Sequence, residues 1–122
     1  MKVVLIVEDE SEQSKLLQIR LEANGFGTIL AKNGQEALKE AERGSPDLVI
    51  LDFLLPDING FEVCQRLKEA PETRQIPIVM LTAYPVEDVE RRCLEAGASL
   101  CLRKPYVASE LLAEIKRLLR EV

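Results

Sequence analysis

Short apolar, β-branched runs alternate along this chain with longer stretches in which apolar residues recur at helical spacing. The runs are Val3–Val7, Thr28–Ala31, Leu48–Leu51, Ile76–Leu81 and Leu100–Leu102. Most are continuously apolar, the pattern of strands covered on both faces of a parallel sheet. Pro77 stands near the start of the fourth run, where a missing N–H costs least. Between the runs, Leu16, Ile19 and Ala23, with Leu17 and Leu21 beside them, mark one apolar helix face. Val86, Val89, Cys93 and Ala96 mark another. Leu111, Leu112, Ile115, Leu118, Leu119 and Val122 form the clearest amphipathic stretch. Weaker helical patterns cover roughly Gln35–Glu42 and Phe61–Ala70. Gly25, Gly44 and Gly97 fall just past predicted helices, where a left-handed residue ends the turn, and Pro46 follows closely on Gly44.

The order is therefore strand–helix, five times over. Helix-length crossovers force parallel strands, and right-handed crossovers make an α/β doubly wound five-stranded sheet with five helices. The 122 residues fit one domain, with no repeat, low-complexity tract or linker among them. We expect a single unit over 1–122 with no output domain in this chain.

Composition removes several function classes. Sixteen basic against 21 acidic residues give a net charge of −5, which disfavours direct nucleic-acid binding. With no histidine, the chain can hold neither a Ser-His-Asp or Cys-His catalytic pair nor a phosphohistidine of its own. Aromatic residues are only 4% of the total, too few for a base-stacking platform. The three cysteines, Cys64, Cys93 and Cys101, are widely spaced and read as small core residues in a reducing compartment. No run approaches the ~18 apolar residues of a membrane span, so a cytoplasmic protein with no membrane contact is expected.

In an open parallel sheet, the strand C-termini share one edge, and ligands bind there. The first strand is followed by Glu8, Asp9 and Glu10. The third ends in Asp52, the fourth in Thr82, and the fifth leads to Arg103, Lys104 and Pro105. Asn33 and Gly34, after the second, read as an ordinary turn. Each signal alone has a plainer reading, since acids at a helix start favour its dipole and a strand-end Thr is commonplace. Asp52 is harder to dismiss because it interrupts the apolar run Leu48–Leu55. A carboxylate buried beside Glu8 and Asp9 needs a cation, and a hard divalent ion such as Mg²⁺ takes such oxygen ligands. A carboxylate nucleophile, a metal, an ammonium and a hydroxyl together suit phosphoryl transfer to an aspartate.

These residues resemble the response-regulator receiver domain of two-component phosphorelay signalling, over essentially the whole chain. The resemblance rests on Val4–Glu10, on Leu51–Gly60, on Val79–Ala83, on Glu95–Ala98 and on Lys104-Pro105-Tyr106. It implies a flavodoxin-like sheet in the order 2-1-3-4-5. It also implies that Asp52 accepts a phosphoryl group from a phosphohistidine on a sensor histidine kinase or phosphotransfer protein. Asp9, Asp52 and the Leu54 backbone carbonyl would hold Mg²⁺ (or Mn²⁺), with Glu8 acting mainly through water. Thr82 and Lys104 would bind phosphoryl oxygens, and the Lys104–Pro105 peptide would be cis. The response would reach a downstream protein target or fused output domain through the fourth helix, fifth strand and fifth helix. These are roughly Val86–Ala96, Leu100–Arg103 and Val107–Glu121, a face that could also pair two copies of the chain.

Two departures stand out. The family's switch aromatic falls on Cys101, which puts the coupling of Thr82 to that ring in doubt: either the switch works through Thr82 and backbone shifts alone, or Tyr106 takes a share. Leu54 and Tyr84, which should flank the phosphoryl group, can orient no water, so self-dephosphorylation should be slow. Three rival readings are weaker. A metal-dependent aspartyl-phosphate phosphatase needs an Asp where Leu54 stands, and a flavin module needs a neutral phosphate cradle where Glu8–Glu10 stand. A receiver-like protein-binding scaffold that is never phosphorylated has no use for the full set of acidic, hydroxyl and ammonium groups.

Overall fold

The computed structural model describes residues 1–83 and 87–120. In chain order the elements are β1 (Val3–Val7), α1 (Ser11–Ala23), β2 (Gly27–Ala31), α2 (Gly34–Gly44) and β3 (Leu48–Asp52). They continue with α3 (Gly60–Glu69), β4 (Ile78–Thr82), α4 (Glu87–Glu95), β5 (Leu100–Arg103) and α5 (Ala108–Arg120). The strands form one sheet in the order β2-β1-β3-β4-β5, and every neighbouring pair is parallel. The doubly wound α/β expectation and its strand order are met.

The continuous apolar runs are explained by two cores, one on each side of the sheet. Leu5, Val7, Val49, Leu51, Ile78 and Met80 point toward α2, α3 and α4, where Ala37, Ala41, Val63, Leu67 and Cys93 meet them. The alternate residues Val4, Ile6, Leu48, Ile50, Val79 and Leu81 pack against Leu17 and Leu21 of α1 and Leu111, Ile115, Leu118 and Leu119 of α5. A period of two thus sends successive side chains to opposite cores, and both cores require apolar residues.

Several local expectations need correction. On α1, Leu16 and Ile19 are exposed, and so is Ala23; the buried face is Ser14, Leu17 and Leu21. Apolar residues lie all round the helix's middle turns, so spacing alone selects the wrong stripe. Gly44 is the last residue of α2, not the residue after it. A Cβ there would stand 2.7 Å from Ile29 Cδ1, so the glycine allows close approach to β2, and Ser45 takes the left-handed turn at φ 42°. The fourth strand starts at Ile78, because the Ile76 N–H is used in a turn, donating to the Thr73 carbonyl. Asn33 is not an ordinary turn residue. Its side chain caps α2, accepting from Glu36 N at 2.8 Å. Gly25 and Gly97 do end their helices with positive φ. Val86, Tyr84 and Val122 lie outside the described residues.

Candidate functional site

Five of the polar residues expected at the sheet edge converge there. Asp52 closes β3, and Glu8 and Asp9 follow β1, the neighbouring strand. Their carboxylates offer one oxygen each within 4.8 Å of one another. Lys104, just beyond β5, reaches across: its Nζ lies 3.0 Å from Glu8 Oε1 and 3.3 Å from Asp52 Oδ1. With Leu54 and Gln13 these groups border a cavity of about 320 Å³. Thr82 closes β4 one strand over, fully buried, and its carbonyl accepts from Lys104 N at 2.7 Å. That bond fixes where the lysine stem leaves the backbone. The Lys104–Pro105 peptide is cis, as the resemblance implied.

The electrostatics follow from burial. Asp52 keeps only 8% of its surface, and desolvation, reinforced by the Glu8 charge, pushes its pKa up to about 6 despite the opposing pull of Lys104. Burial would lower the Lys104 pKa, but the hydrogen bond to Glu8 and the charges of Asp52 and Glu8 outweigh it and leave it raised. One ammonium faces three carboxylates, so the site carries uncompensated negative charge. Hard oxygen donors crowded in this way fit a divalent cation of the magnesium type. Glu10, by contrast, sits at the N-cap of α1 without capping it through its side chain.

The loop after β3 is held from two directions. Gly60 N donates to the Phe53 carbonyl at 2.9 Å, and a Cβ on Gly60 would meet Met80 Sδ at 2.7 Å and the Asp52 carbonyl at 3.2 Å. Asp57 accepts from Gly34 N at 2.8 Å and Gln35 N at 2.9 Å, pinning the loop onto the start of α2. Burial, the largest single influence, would raise the Asp57 pKa, but hydrogen bonds from the backbone N–H groups of Gly34, Gln35, Ile58 and Asp57 together outweigh it and leave it lowered. Sequence reasoning missed Asp57 in this role, because its partners lie 22 and 23 residues away. It also missed Gln13, whose partner Lys104 lies 91 residues away.

The remaining expected site residues are less central. Leu54 lines the cavity and is half exposed. Cys101 packs, half-buried, against the core on the α2–α3–α4 side of the sheet, which also holds Cys93. Burial pushes all three thiols up, Cys64 to about 11, which fits inert core residues. Tyr106 is half-buried and packs against the α1–α5 core. On the α4-β5-α5 face, Arg91 pairs with Asp88, Arg103 with Glu90 and Arg117 with Glu114, so these charges are answered within the chain. Among the described residues, no helix is long and apolar enough to cross a membrane.

Comparison with known proteins agrees with this geometry. The family model for the response regulator receiver domain matches residues 4–116. The phosphate regulon transcriptional regulatory protein PhoB of Rhizobium meliloti is 43% identical over 96% of this chain and 52% of its own length. The chain thus spans about half the length of the first curated relatives it matches. The polar-differentiation response regulator DivK of Brucella anthropi is 37% identical over 94% of both proteins. The BeF3-activated N-terminal receiver domain of Klebsiella pneumoniae RstA superimposes with a TM-score of 0.91 at 31% identity, covering 98% of this chain and 99% of that one. The chain belongs to the response regulator receiver domain family.

Proposed function

We propose that this chain is a phosphoacceptor signalling switch, cytoplasmic, whose only chemistry is performed on itself. The observation that carries the reading is a buried carboxylate, Asp52, at the C-terminal edge of the sheet between two further acids and one ammonium. An Asp52 oxygen attacks the phosphorus of a phosphohistidine on a sensor histidine kinase or phosphotransfer protein. A P–O bond forms, the P–N bond breaks, and its electron pair returns to the imidazole of the donor. Glu8, Asp9, Asp52 and the Leu54 carbonyl are the residues that would hold Mg²⁺ or Mn²⁺, which neutralises charge on the transferring group. Lys104 supplies an ammonium to phosphoryl oxygens and Thr82 a hydroxyl.

The product carries about −1.5 to −2 added charges. Thr82 and Lys104 sit at the ends of β4 and β5, so attraction to this group pulls on the α4-β5-α5 face and shifts its population between two partner-binding states. The recipient is a downstream protein or an output domain, and the same face is available to a second copy of the chain. Cys101, a thiol at the switch position, leaves Thr82 and backbone movement as the transmitting parts.

The testing experiment is intact mass after incubation with acetyl phosphate and Mg²⁺, beside a chelated control. One added phosphoryl group, absent without metal, is the expected result. If neither an adduct nor retention of a beryllium fluoride mimic is seen, the protein acts as an unphosphorylated binding scaffold. Magnesium alone is expected to raise the unfolding midpoint, by about 2.7 kcal/mol of stability at a hundredfold excess over its dissociation constant. An unmoved midpoint across a full titration would remove the metal from the mechanism.

Leu54 offers no acid or amide to orient an attacking water, so the phosphoryl group is expected to persist. Leu54→Asn should shorten its lifetime severalfold, read as the decay of the mass adduct. Equal decay in both proteins would remove Leu54 from the control of hydrolysis.

A further inference from the structure

Gln13, on the first turn of α1, separates two cavities. One is the acidic cavity over Asp52. The other, of about 480 Å³, runs along α1 past Leu16 and Arg20 to Tyr106, and Gln13 and Lys104 border both. The Gln13 Oε1 atom accepts from Lys104 Nζ at 3.3 Å, while its Nε2 donates to Glu10 Oε2 at 2.6 Å. This orientation of the amide is fixed by chemistry, because an ammonium can only donate and a carboxylate can only accept.

The Lys104 ammonium thus meets three oxygens: it donates to Glu8 Oε1 and Gln13 Oε1 and forms an ion pair with Asp52 Oδ1 at 3.3 Å. Two of these are charged groups with other duties. Asp52 changes its charge and its free oxygens when it reacts, and Glu8 belongs to the acidic set. Gln13 is neutral and stands outside that set, so its hold on the ammonium does not depend on either event. A lysine stem has four rotatable bonds, and an ammonium that must meet a phosphoryl group benefits from a partner that survives the reaction.

We propose that Gln13 is a positioning residue, whose amide oxygen, oriented by Glu10, holds the Lys104 ammonium over Asp52. The inference rests on the phosphoacceptor reading above and names a residue which that reading does not contain.

The test compares the wild-type protein with Gln13→Leu and with the paired exchange Gln13→Glu, Glu10→Gln by two measurements. The first is the initial rate of adduct formation with acetyl phosphate at saturating Mg²⁺. The second is the lysine-selective ¹⁵N NMR signal of the Lys104 ammonium in metal-free protein, where a held ammonium exchanges slowly and gives a sharp resonance. Gln13→Leu is expected to slow the reaction about fivefold and to broaden that resonance. Gln13→Glu alone would set a second carboxylate against Glu10, so it is made together with Glu10→Gln, whose amide can donate to it. This pair keeps the acceptor for Lys104 and should restore most of the rate and the sharp signal. An unchanged rate and resonance in Gln13→Leu would overturn the proposal, and so would equal damage by Gln13→Leu and the paired exchange, which would mean that the side chain acts by something other than accepting from Lys104. Wild-type protein that takes no phosphoryl group would defeat the phosphoacceptor reading instead. In that case the NMR comparison still decides the contact itself, and a wild-type Lys104 signal as broad as that of Gln13→Leu refutes it.

Discussion

Asparagine in place of Asp52 is expected to abolish the phosphoryl adduct and, in metal-free protein at pH 7, to raise stability by about 1–3 kcal/mol. Loss of the adduct follows from chemistry, since an amide is no nucleophile toward phosphorus under these conditions and Glu8 and Asp9 cannot replace a carboxylate at the centre of the cluster. The gain in stability follows from the cost of ionising Asp52 where it lies. Its carboxyl titrates near 6 in the folded chain against 3.8 for an unperturbed one, chiefly through burial and then through Glu8. Between those two values the folded protein binds more protons than the unfolded one. Stability therefore falls as pH rises through the window from about 4 to 6, and the full difference corresponds to about 3 kcal/mol. The amide keeps the shape of the side chain and removes the charge. Urea unfolding of both proteins at pH 4 and pH 7, with chelator present, separates the effects. The variant's advantage should be present at pH 7 and shrink toward pH 4. An asparagine variant no more stable than wild type at pH 7 would mean that Asp52 is ionised there without strain.

Truncation of Leu21 to alanine should cost about 2–5 kcal/mol, whereas truncation of Ile19 should stay within about 0.5 kcal/mol. The two residues lie on one helix and both are apolar, and helical spacing picks out Ile19, with Leu21 only beside that stripe. Only Leu21 is in the core, fully buried among Val4, Ile6 and the α5 leucines, while Ile19 keeps 64% of its surface. Denaturant midpoints of the two variants check the claim. Similar losses at the two positions would mean that α1 lies on the sheet by a different face.

That pair also marks where the sequence stops being informative. The strands were readable because both faces of each are covered, so every residue in the run had to be apolar. The helices of strong amphipathic contrast, above all α5, were readable for the complementary reason. On α1 the contrast vanishes: Leu16, Leu17, Ile19 and Leu21 surround the helix, and only packing against β1 and α5 decides which of them is inside. The same division holds for the site. Glu8, Asp9, Asp52 and Lys104 follow strands whose C-termini must share an edge, so topology alone assembles them. Asp57 and Gln13 act through side chains aimed at distant or perpendicular partners, and no periodicity encodes an aim.

Lys104 meets Glu8 across 96 residues, and it rides beyond β5, an edge strand hydrogen-bonded to one neighbour only. On a growing chain the acidic groups are therefore synthesised well before their counter-charge. The same separation operates in the finished molecule. Edge strands open more readily than central ones, and each opening of β5 withdraws the ammonium while leaving the carboxylates in place on β1 and β3. Under the proposed mechanism, competence at the acidic edge would follow the opening of that edge strand. Amide exchange along β5 would report how often the site is disarmed without any change to a carboxylate.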